Sequence, residues 1–263
     1  MPVKSLIPVL PLILALVFGA AAATAQSSDL PDAPRPSAVP PPVTVHDVPR
    51  NLLHDQVAIW TSPLRLRDSN AAGPIILVLA TAGAITADHE AMTSVVSTDT
   101  KLNDRADQAS QALMGSLVAA HAVLFTFGRM HHDDHASETG ILGAEAVVDS
   151  LAVGEVDKLI TRRERPDVDA SKGKWFQSGV GFNSSFPSEH SLVAWSAASV
   201  LAGEYSGFWK GTAIYSLATG VSVSRVIARQ HFPSDVLVGS AVGWMIGRYV
   251  VHKHRHHIPD YTQ

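Results

Sequence analysis

At 263 residues, with 46% hydrophobic and 17% charged content, the chain suits one large packed, mainly helical domain. A formal net charge of −4 and a pI near 6.3 give it no basic field, which argues against nucleic acid as a partner. The absence of cysteine excludes disulfide stabilisation and a thiol-anchored lipoprotein, so stability must come from a helical core.

In chain order, residues 1–25 read as an export signal. Lys4 precedes an apolar run from Leu6 to Ala20, and Ala23-Thr24-Ala25 forms a small-residue cleavage site. Residues 26–50 carry Pro31, Pro34, Pro36, Pro40, Pro41, Pro42 and Pro49, the composition of an extended linker. From residue 51 the apolar pattern is helical, with no strand-like alternation. It predicts a short helix near 51–60 and six main helices near 74–87, 104–128, 138–164, 188–204, 209–228 and 234–252. Pro74 suits a first helical turn, Asp104 a cap, Gly128 a helix end, and Pro166 a stop. The fold class is therefore all-α, a helical bundle occupying 51–252. A His-rich tail, 253–263, is read with the cluster His131, His132 and His135 as solvated polar segments, not as a metal site.

The apolar stretches are short for bilayer spans and carry ionisable groups such as Asp88, His121, Asp149 and Glu155. They are also rich in Ala, Gly and Ser, as in membrane helix contacts. With a mean hydropathy of +0.13, the balance leans towards membrane association.

Chemistry concentrates at predicted helix ends. Lys158 and Arg165 stand seven positions apart on one predicted helix, two turns of one face, where two cations can hold different oxygens of a phosphate. Pro187 is expected at the first position of the next helix. That puts the Ser188 hydroxyl and the amides of Glu189 and His190 at its anion-binding end, with the Glu189 carboxylate either turned to solvent, the preferred reading, or placed to repel or orient part of a substrate. Pro233 opens the last helix with Asp235 in its first turn. Asp235 can then reach back to His231 and fix its tautomer, leaving the other ring nitrogen as a nucleophile.

Lys158 with Arg165-Pro166, Pro187-Ser188-Glu189-His190, and Ser224-Arg225 with His231 and Asp235 together resemble the signature of the type 2 phosphatidic acid phosphatase superfamily, which also holds vanadium haloperoxidases. The resemblance covers roughly residues 70–252. It departs at Glu189, where the family most often has glycine. It implies a bundle with the active site at one end, His231 as the residue that becomes phosphorylated, His190 as the general acid and Arg225 as a third cation of the cage. It implies a metal-independent phosphomonoesterase with no cofactor, exported to the periplasm or envelope. The substrate class it implies is a lipid phosphate or an isoprenoid diphosphate. Three alternatives stay open: a soluble periplasmic acid phosphatase of wide specificity, a vanadate-dependent haloperoxidase, and an anion-binding envelope protein whose site Glu189 has disabled. Neither the substrate nor the oligomeric state follows from the sequence.

Overall fold

The computed structural model describes residues 42–66 and 71–255. The expected signal segment and most of the proline-rich stretch lie outside these residues. Seven α-helices are described: α1 Val48–Thr61, α2 Ala72–Glu90, α3 Thr100–His131, α4 Asp134–Thr161, α5 Glu189–Glu204, α6 Phe208–Ile227 and α7 Pro233–His254. No strand occurs among the described residues. The domain begins before the expected residue 51, because Val43 is buried in the core and Pro49 sits in the first turn of α1.

Local chemistry accounts for the ends. The Asp99 carboxylate, not Asp104, caps α3, accepting from the amides of Lys101 and Leu102 at 2.9 and 3.3 Å. Helix α3 runs past Gly128 to His131, where His132 takes a left-handed conformation with φ 57°. Gly128 instead lets α3 approach α4: a Cβ there would lie 2.6 Å from the Asp133 carbonyl oxygen. Asp133 caps α4 through the Ala136 amide. Helix α4 ends at Thr161, with Arg162 left-handed at φ 42°.

Helix α5 is the axis of the bundle. Its residues 191–201 are all buried, as expected for a helix apolar on every side. It packs most extensively on α7 and is flanked by α4 and α6; α3 covers α4 and α6, α2 lies on α7, and α1 on α4. The α5–α7 contact is a glycine seam. Gly239, Gly243 and Gly247, one turn apart, face Ser188, Leu192 and Ser196 with Ser199. A Cβ on Gly239 would sit 2.5 Å from the Ser188 carbonyl oxygen, and one on Gly243 3.0 Å from the Leu192 Cα. We expect Gly243→Ala to cost about 1–3 kcal/mol through overpacking. Gly115→Ala, where a Cβ meets nothing within 4 Å, should be neutral or stabilising. Chemical denaturation of the two variants checks this.

Two expected solvated histidines are not solvated. His254, in the last turn of α7, is buried and bonds both Asp55 carboxylate oxygens at 2.9 and 2.8 Å, joining α7 to α1. His135 bonds Glu204 at 3.1 Å, joining α4 to α5. Burial of these carboxylates calls for a partner, and the histidines supply it.

Helices α2, α4 and α6 end, and α3, α5 and α7 begin, on one side of the molecule. That side carries the motif residues. The stretch Ala72–Val95, α2 with its following π turn, and α3 are both long and apolar enough to cross a bilayer, yet only 11% and 17% of their most apolar windows are buried in the bundle.

Candidate active site

Helix α4 ends at Thr161, earlier than expected, so Lys158 lies in its last turn and Arg165 does not share its helix face. The chain leaves α4 at Arg162, and residues 162–188 fold back across the bundle end. The Arg163 amide donates to Ser184 Oγ, Phe176 donates to Thr161, and Ser185 donates to the Arg163 carbonyl. Arg165 therefore comes to the site from a loop. Its guanidinium donates to the Asn183 side-chain oxygen at 3.0 Å and to the Gln230 carbonyl at 3.1 Å.

Helix α5 starts one residue later than expected. Ser188 is its N-cap and Pro187 lies before the cap, so Glu189 and His190 occupy the first turn. Ser188 is fully buried; its hydroxyl accepts from Ser191 at 3.1 Å, and its amide donates to the Asp235 carbonyl. The Glu189 side chain does not turn to solvent. Its carboxylate pairs with Lys158 Nζ, which also donates to Glu155 at 2.8 Å. A buried ammonium one turn from the α5 terminus attracts the nearest carboxylate, and this outweighs hydration of the glutamate.

Arg225, in the last turn of α6, donates to Asp107 and to Ser110 Oγ at 3.1 Å, both on α3. His190 feels the charges of Arg225, His231, Asp107 and Lys158. His231 feels Asp235, Arg165 and Arg225. The structure thus brings Lys158, Arg165, Glu189, His190, Arg225, His231 and Asp235 into one electrostatic neighbourhood, with Ser188 packed beneath it.

His231 is buried between α6 and α7, and its Nδ1 stands 2.6 Å from the Ser185 carbonyl oxygen. A carbonyl only accepts, so Nδ1 carries the proton and Nε2 holds the free lone pair. The expected direct contact with Asp235 is replaced: that carboxylate is 3.8 Å from Nδ1. Asp235 accepts instead from the Ser185 hydroxyl, the Phe232 amide at 2.8 Å and Arg163 at 2.6 Å. It acts on His231 through the residue whose carbonyl orients the ring.

Burial pushes His231 down to about 4, against the opposing pull of Asp235. Burial, then the Arg225 charge and His231, hold His190 at about 4 as well. Both rings are neutral at pH 7 until an anion enters.

Arg163, two residues before Arg165, carried no site signal in the sequence. It is buried at 2% exposure. Its guanidinium bridges Asp88 at 2.7 Å, Asp235 at 2.6 Å and Ser234 at 2.8 Å, between the rings of Trp175 and Phe232 at 4.6 and 4.1 Å. Asp88 also accepts from the Ser234 amide at 3.0 Å. Asp107, Asp88, Ser185 and Ser234 carried no sequence signal, because each finds its partner across a long stretch of chain. Among the described residues, no group of three or more His, Asp or Glu is arranged to hold a metal ion.

Residues 139–258 match the PAP2 superfamily. Over 79 residues the chain is 35% identical to a lipid A 1-phosphatase from Porphyromonas gingivalis. That match covers 29% of this chain and 18% of the relative, so the chain spans less than a fifth of that protein's length. A crystal structure of a transmembrane PAP2 type phosphatidylglycerolphosphate phosphatase from Bacillus subtilis superposes with a TM-score of 0.46 at 19% identity, covering 78% of this chain and 95% of that one.

Proposed function

We propose, from the match of residues 139–258 to the PAP2 superfamily and from the geometry of the site, that the chain is a metal-independent phosphatase of that superfamily that hydrolyses a lipid phosphate through a phosphohistidine on His231. The observation that carries this reading is the bond from His231 Nδ1 to the Ser185 carbonyl, which leaves Nε2 unprotonated among Lys158, Arg165 and Arg225.

In the first step Nε2 of His231 attacks phosphorus and the P–O bond to the alcohol breaks. His190, protonated once the phosphate anion is bound beside it, gives its proton to the departing oxygen. Neutral His190 then takes a proton from water as the water oxygen attacks phosphorus, the P–N bond breaks, and inorganic phosphate leaves. Charge on the three outer phosphoryl oxygens falls to Lys158, Arg165, Arg225 and the free amides of the first turn of α5.

The lipid part of the reading comes from the exposed apolar helices. The helix Ala72–Val95 has 24 residues, about 36 Å of rise, and α3 has 32. A bilayer core needs about 20 apolar residues. A core helix of a water-soluble protein would be mostly buried, and these two are not. In a bilayer the active-site end would lie at one membrane surface, where a lipid headgroup presents its phosphate. Trp209, 80% exposed at the start of α6, suits the opposite interface. The export segment supports a site outside the cytoplasm.

The test is phosphate release by the full chain from a soluble aryl phosphate and a detergent-dispersed lipid phosphate, with a chelator present and with or without vanadate. We expect chelator-resistant release that vanadate blocks, faster from the lipid. A folded protein that releases phosphate from neither substrate overturns the enzymatic reading. Equal rates on both substrates overturn the lipid assignment.

A further inference from the structure

The catalytic sequence above makes no use of the Glu189 side chain, which is paired with Lys158 of the cage. Lys158 has three N–H donors, and two are committed, one to Glu189 and one to Glu155. Gly154, one turn before Lys158, lies beside the Glu189 stem, where a Cβ would come 4.0 Å from its Cγ. Lys158 is nearly closed from solvent, at 8% side-chain exposure, so the two carboxylates and the incoming phosphate compete for one shielded ammonium.

The charged groups that face Glu189 are Lys158 and Glu155 of α4, Arg165 of the following loop and Arg225 of α6, with His190 its neighbour on α5. Asp107 of α3 and Asp235 of α7 compensate the two arginines. Within this set Lys158, Arg165 and Arg225 are each already held by a carboxylate or by neutral oxygen acceptors.

We propose that Glu189 determines the charge of the phosphoryl group this cage accepts, selecting the singly protonated monoanion of a terminal phosphate over the dianion. A dianion would place two negative charges beside the Glu189 carboxylate. A monoanion places one, and its remaining proton can serve His190, which is neutral in the free protein. Burial raises Glu189, but Glu155, Lys158 and Arg165 outweigh it and leave the carboxyl below its ordinary value, so Glu189 stays ionised across the range where a phosphate monoester loses its second proton, near pH 6. The preferred substrate form is then set by protonation of the substrate and not of Glu189.

This inference rests on the phosphatase reading for its mechanism but not for its test. Binding of phenyl phosphate is measured by calorimetry from pH 5.5 to 8 on two chains that cannot turn over, His231→Ala and His231→Ala with Glu189→Gln. With Glu189 present, binding should weaken about tenfold per pH unit above pH 6. With glutamine the profile should flatten, and affinity at pH 8 should rise at least about tenfold, with less than about threefold change at pH 5.5. Parallel profiles, or weaker binding by the glutamine variant at pH 8, overturn the proposal and make Glu189 a positioning residue for Lys158. Glu189→Gly provides the same reading if the glutamine variant does not fold. Phosphate release by the wild-type chain is scored separately: its absence, with the binding pattern intact, removes the phosphatase reading and leaves the role of Glu189 standing.

Discussion

His231→Ala is expected to reduce phosphate release by on the order of 10⁴-fold or more while the folded protein still binds vanadate. The variant removes the only nitrogen that the Ser185 carbonyl leaves unprotonated, so no covalent intermediate can form. The cations survive, because the side chains of Glu155, Asn183, Gln230 and Asp107 hold Lys158, Arg165 and Arg225 without the His231 ring. Rapid acid-free quenching of the wild type with labelled substrate should trap phosphate on His231, and the variant should carry none. Retained turnover would remove His231 as nucleophile. The ring also contributes to the pH dependence of stability. Its folded pKa, about 4, lies below the ordinary 6.5. Its contribution is therefore complete above about pH 6.5 and is lost as pH falls through 4, and the alanine variant should unfold with a flatter acid limb.

Arg163→Met should be the most destabilising single change near the site, at about 3–5 kcal/mol. Methionine keeps the apolar stem between Trp175 and Phe232 but leaves Asp88 and Asp235 buried without their shared counter-charge. Arg163→Lys should recover only part of the loss, since an ammonium cannot span two carboxylates and Ser234 as the planar guanidinium does. In the lysine variant we expect kcat to fall more than KM rises. Lys158, Arg165 and Arg225 are untouched, whereas Asp235 and Ser185, which set the His231 ring, lose an anchor. Denaturation midpoints with steady-state kinetics check both halves; unchanged stability of Arg163→Met would contradict the bridge.

The helix order and the motif positions were legible because they depend on local rules. Period, proline placement and capping put His190 and Asp235 in first turns and Arg225 at the end of its helix, and those assignments agree with the structure. The glycine seam was legible in principle, since Gly239, Gly243 and Gly247 recur every fourth residue, the spacing of close helix contacts. What failed was the loop 162–188. Continuing the α4 helix to Pro166 put Arg165 on the Lys158 face and gave Arg163 no place in the site. A left-handed Arg162 turns the chain instead, exposing one arginine to the cage and burying the other.

The sequence by itself determined an all-α chain with its reactive residues at helix termini, because backbone periodicity and terminal capping act over one or two turns. Only the tertiary structure decided which charges meet. Arg163 with Asp88, Arg225 with Asp107, His254 with Asp55 and Lys158 with Glu189 are separated by 75, 118, 199 and 31 residues. In a buried, water-poor bundle an ionised group must find a counter-charge wherever the fold brings one, and several arginines of the same chemistry compete for each carboxylate. The pairing follows from which side chains the packed helices shut away from water.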